Sequence, residues 1–198
     1  MDEIQNRLRR IYASIGVAME CDMRKFPPKI VQNEHVICVS QDFRGGMSDA
    51  DVENAAYTII HNVANLRDHL RKWAKANSKE QAKVYAAIDA SPALKVIEDL
   101  SNIDKHGYGS RNDSSGMGPK LVDIRRELRL QTQAKKDSFV ALTIGLTGPR
   151  VTGDGLAVVR ISADVVDKNG ARLGDLLQIE QDALDAWEKL LREFGIVP

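Results

Sequence analysis

Residues suited to proton transfer recur twice in one arrangement. Asn62, Asn65 and His69 are spaced i, i+3 and i+7, and so are Asp99, Asn102 and His106. At ~100° per residue, three such positions form one stripe along a helix. Imidazole titrates near neutrality, so two histidines brought to one small site can move protons on both sides of a reacting group. The carboxamides beside them can hold a polar substrate. The simpler alternative is that each histidine hydrogen-bonds the Asn four residues before it, or a carbonyl at a helix boundary.

No other pattern carries chemistry as directly. The stretch Gly107 to Lys120 holds four glycines and three serines. It lacks the order of a phosphate-binding loop and reads as a surface connection. The four histidines are scattered and their neighbouring carboxylates are not at ligand spacing, so neither a metal nor a cofactor is expected. Lys and Arg total 28 against 28 Asp and Glu, which argues against a generally cationic surface and leaves room for a local patch. Cys21 and Cys38 are expected to be reduced or buried thiols, since Cys38 lies in the apolar run Val36-Ile37-Cys38-Val39. The N-terminus is charged, and no apolar run approaches the ~20 residues of a membrane span. A cytoplasmic protein without a membrane partner is expected.

The elements that must position the two stripes follow from periodicity. Ile4, Leu8, Ile11, Ile15 and Ala18 predict a first helix to about Asp22, before Pro27-Pro28. A short strand is expected near 35–43. Ser48 is a candidate N-cap, with Asp49 and Asp51 in the first turn. The helix it opens carries Val52, Ala56, Ile59, Val63, Leu66, Leu70 and Trp73 at alternating spacings of four and three, a seam for antiparallel bundle packing. A helix from Lys79 to Ala90 follows, then one with Ser91 at the N-cap, Pro92 at N1 and Gly107 at its end.

Beyond the loop the period becomes two. Val122, Ile124, Leu128 and Leu130 form one face of a strand, with Arg125 and Arg129 among the charges on the other; Val140 to Leu146 and Ala157 to Val165 repeat the alternation. Lys168-Asn169-Gly170 predicts a hairpin turn into a fourth strand, Ala171 to Ile179. A last helix, from about Glu180 to Phe194, buries Leu184, Trp187 and Leu191. The expected class is α+β in one domain, 1–198. It comprises a mostly helical part (1–107), an antiparallel four-stranded meander and a C-terminal helix (121–198). Free sheet edges and the long seam point to a homodimer.

The stretches Ala64-Asn65-Leu66-Arg67-Asp68-His69 and Ser101-Asn102-Ile103-Asp104-Lys105-His106 resemble the Arg-Asn-x-x-x-His motif of the HEPN superfamily, helical prokaryotic domains of RNase toxins and defence systems. Together with His61-Asn62 they are also similar to uncharacterised bacterial proteins with paired helices and a trailing β-region. Membership would imply metal-independent RNA cleavage at a site shared across a homodimer, with His69 and His106 as acid and base and Asn65 and Asn102 beside them. Where the family has Arg, this chain has Ala64 and Ser101. Phosphate charge then falls to Arg67, Lys105 or Arg111, with Asp99 and Asn62 lining the substrate site. Arg67 lies near the apolar seam, where a buried structural ion pair is the competing role. Two functions follow: an RNA- or nucleotide-binding domain that cleaves if a substitute cation is in place, or a non-catalytic domain for dimerisation or partner binding.

Overall fold

A computed structural model of the chain describes residues 2–17, 19–32, 34, 37–107, 115–145 and 148–196. Its longest element begins where the sequence places a cap. The Ser48 hydroxyl accepts from the Asp51 amide at 3.2 Å, and Asp51 accepts from the Ser48 amide at 2.9 Å. This reciprocal box satisfies two donors that the first turn would otherwise leave open. The helix it opens, α2 (Asp49–Ala76), buries the whole predicted seam as far as Leu70, with Trp73 partly covered. Helix α1 (Asp2–Val17) packs on α2 through Ile4, Leu8 and Ile11. The short α3 (Ala82–Ala90) leads into α4 (Pro92–His106), which starts at the Ser91 cap and stops at Gly107, whose φ of 70° is left-handed. Helix α5 (Leu176–Glu193) completes the helical layer and seats Trp187, whose indole Nε1 donates to the Val63 carbonyl at 3.2 Å.

The α+β class holds, but the strands do not form one four-stranded meander. The main sheet has β7 (Leu156–Val166) at its centre and β4 (Lys120–Gln131) along one side. Its other side is shared by β1 (Met19–Glu20) and β8 (Arg172–Asp175). Strands β5 (Val140–Gly145) and β6 (Gly148–Gly153) pair only with each other, as do β2 (Lys29–Gln32) and β3 (Ile37–Ser40). The single strand expected near 35–43 is therefore half of a hairpin, and the first helix ends at Val17 because the edge of β7 takes up Met19 and Glu20. Both cysteines are exposed and unpaired, against the expectation of burial for Cys38, because the β2–β3 hairpin is exposed along both faces.

Two further corrections have local causes. In β4 the pairing register shifts between Val122 and Arg125, where Asp123 takes a φ of 52°. Such a bulge moves every later side chain to the opposite face. Val122 therefore lies opposite Asp164, whereas Leu128 lies opposite Val159 over the inner cluster. Arg126 also turns inward, its guanidinium 5.3 Å from the Phe26 ring centroid. The fourth strand stops at Asp175 rather than Ile179, since the Asp175 carboxylate accepts from the Leu177 amide at 3.0 Å and starts α5 early. The turn before it needs positive φ only at Gly170, because Asp167 Oδ1 accepts from the amides of both Asn169 and Ala171. The core lies between the helices and the inner face of β7, at Ile161, Ala163 and Val165.

Candidate functional site

Helices α2 and α4 run antiparallel, and three polar contacts set their register. His61 meets Ser101 and Asp104, Asn65 meets Lys105, and Arg67 meets Glu98. The two motif stretches therefore touch, with Lys105 Nζ donating to Asn65 Oδ1 at 3.1 Å. The two histidines do not. In the register of the Arg67–Glu98 contact His69 lies level with Val96 and His106 level with Ile59, ~15 Å along the axes at ~1.5 Å per residue, and in that of the Asn65–Lys105 contact they lie about half as far apart. Neither register brings the two imidazoles to the same level of the seam.

The remaining candidates divide by burial. Asp99 is almost fully buried and accepts from the Ser115 amide at 2.9 Å, so it anchors the end of the connection to β4 instead of lining an open substrate site. Asn62, Asn65, His69 and Asn102 are half-buried, whereas Lys105 and His106 are exposed in the last turn of α4. Arg111 lies outside the described residues. Arg67 takes the structural role weighed for it: Nη1 donates to Glu98 at 2.6 Å and Nε to Asp68 at 3.1 Å. Burial pushes the Glu98 carboxyl up to about 7 despite this guanidinium.

The clasp at His61 is absent from the sequence reading. Asp104 Oδ2 lies 2.8 Å from Nε2 and Ser101 Oγ 2.9 Å from Nδ1. A carboxylate only accepts, so Nε2 donates to Asp104, and the Ser101 hydroxyl can serve Nδ1 as donor or acceptor. The connectivity is that of a nucleophilic relay. Ser101 is only 1% exposed, however, so no substrate reaches its oxygen and the chain of bonds ties two helices together.

The end of α2 and the start of α3 carry a cationic run that periodicity does not reveal. Residues 67–83 hold six Lys or Arg against two carboxylates, in a chain whose net charge is zero. Arg67 and Arg71 lie beside Asp68, whereas Lys72, Lys75, Lys79 and Lys83 are exposed and form no ion pair among the described residues. Arg71, Lys72, Lys75 and Gln81 line a cavity of about 380 Å³ together with Asp68. A running charge count along the sequence would have found this segment. Among the described residues no three His, Cys, Asp or Glu side chains converge as a metal site, and no helix is long and apolar enough to cross a membrane. The chain matches no known family model, curated protein or solved structure.

Proposed function

We propose that the chain is a HEPN-like domain that binds RNA along the exposed edge of α2, beside its polar seam with α4. The observation that carries this reading is the concentration of lysines at the end of α2 (Lys72, Lys75) and just beyond it (Lys79, Lys83), without ion pairs among the described residues, in a protein whose net charge is zero. Phosphate neutralisation supplies most of the non-specific affinity for nucleic acid, and it needs local rather than net positive charge. Lys105 and His106 at the end of α4 extend the same chemistry to the second motif. Catalysis on the HEPN pattern would pair the motif histidines across a second copy, since neither helix contact levels the two imidazoles of one chain.

The test is fluorescence anisotropy with a labelled single-stranded RNA across a salt series. Lys72→Ala with Lys75→Ala is expected to weaken binding and to reduce the salt slope by about 1.4, at ~0.7 per phosphate contact. No binding at low salt overturns the reading. Incubation in EDTA then reads cleavage: cyclic-phosphate ends lost in His106→Ala support a nuclease, and their absence leaves a binding protein.

One observation favours a second function, homodimerisation. The β2–β3 hairpin exposes Ile30, Val31, Ile37 and Val39 on a two-stranded sheet with free edges. Such a sheet is marginal alone and gains from pairing with a second copy. Ile37→Lys is expected to turn a dimer into a monomer in analytical ultracentrifugation, and a wild-type monomer at high concentration removes this reading.

A further inference from the structure

An exposed aromatic ring stands beside the cationic cavity, and the proposed function makes no use of it. Tyr85 on α3 is 45% exposed. The Arg71 guanidinium carbon lies 4.9 Å from its ring centroid, within cation–π range. Arg71 also stands 3.7 Å from Asp68, and its Nε is buried without an acceptor. The guanidinium is thus held by its stacking partner more than by hydrogen bonds. Arg71 fixes the ring in position while the residue stays exposed, an arrangement suited to a contact surface.

We infer that Arg71 and Tyr85 form a stacking platform for one unpaired base, with Lys72 and Lys75 holding the adjoining phosphate, so that the ligand is single-stranded nucleic acid. The inference rests on the RNA-binding reading and names its substrate class. Bases within an A-form duplex are already stacked on one another, and their faces are closed to side chains. The Arg71–Tyr85 stack therefore adds nothing to duplex binding, whereas a flexible strand can extend it with one base. Lysines within one helical turn of Arg71 place charge where the backbone of that nucleotide would run. The cavity, at about 380 Å³, falls at the lower end of the size range of small-ligand sites, which suits a single nucleotide.

The experiment compares a short single-stranded RNA with a duplex of the same length, using the full chain and its Tyr85→Ala and Tyr85→Phe variants. Base–aromatic stacking corresponds to about 5- to 150-fold in affinity on removal to alanine. Tyr85→Ala is expected to weaken single-strand binding by that factor and leave duplex binding unchanged, while Tyr85→Phe stays close to wild type. Tyr85 is exposed, and an unchanged melting temperature confirms that the variants fold. Equal loss for both ligands, or no loss for either, overturns the stacking platform while the RNA-binding reading stands. Failure of the wild-type chain to bind either ligand at low salt overturns the underlying reading instead.

Discussion

Glu180 offers the sharpest test of the energetics of this fold. Its side chain is 4% exposed on α5, and Oε1 has no hydrogen-bond partner. Burial pushes its carboxyl up to about 8 from 4.5, with Arg160 pulling down and Asp175 adding to the rise. Below the unfolded value both states are protonated, and the contribution to stability is complete. As pH rises the unfolded chain ionises while the fold keeps its proton, so stability falls until the folded value is passed. A shift of about 3.5 units at ~1.4 kcal/mol per unit sets a ceiling of about 5 kcal/mol, and relaxation around the charge brings the expected loss to roughly 2–5 kcal/mol. Glutamine has the same shape and does not titrate. Glu180→Gln is therefore expected to match wild type in acid and to exceed it above the folded value, by roughly 5–15 °C in melting temperature for a chain of this size. Denaturation followed by circular dichroism across this range reads the difference. Glu98 acts with the same sign, between 4.5 and about 7, so the comparison must be wild type against Glu180→Gln and not wild type against itself. Parallel pH profiles for the two proteins would refute the claim that Glu180 is buried with its proton.

Two other outcomes depend on single contacts. Gly153 has a φ of 104°, and a Cβ there would lie 2.2 Å from the Phe139 carbonyl oxygen, so Gly153→Ala should cost about 1–3 kcal/mol and be seen as lost amide protection in β5–β6 with the helices intact. Asp99→Ala removes the carboxylate that holds the Ser115 amide, and faster hydrogen exchange at that amide is the expected readout; an unchanged exchange rate would show that Asp99 does not hold it.

The fold was legible wherever the causes were local. Ser48, Ser91 and Gly107 mark helix ends because capping depends on a few adjacent backbone groups, and the seam from Val52 to Leu70 announces its buried face through spacing alone. Strand faces were less legible. The bulge at Asp123 changes the register by one residue, a step that alternation in the sequence does not contain, so the pattern puts Val122 and Leu128 on one face and the fold puts them on opposite faces. Partner choice among strands was hidden for a related reason: β5 alternates as β7 does, β6 (Gly-Pro-Arg-Val-Thr-Gly) has no alternation to mark it, and only the assembled sheet decides which edge each strand meets.

The candidate site divides along the same line. By itself the sequence determined the two polar stripes, their helices and the cationic run from Arg67 to Lys83, because these are matters of type and spacing. Only the tertiary structure decided which polar residues meet. Antiparallel packing of α2 on α4 joined Asn65 to Lys105, gave His61 to Ser101 and Asp104, buried Asp99, and set His69 and His106 apart. The physical reason is that spacing fixes a residue's angle around its own helix, whereas contact between helices depends on an axial offset set by the packing of every apolar side chain in the seam.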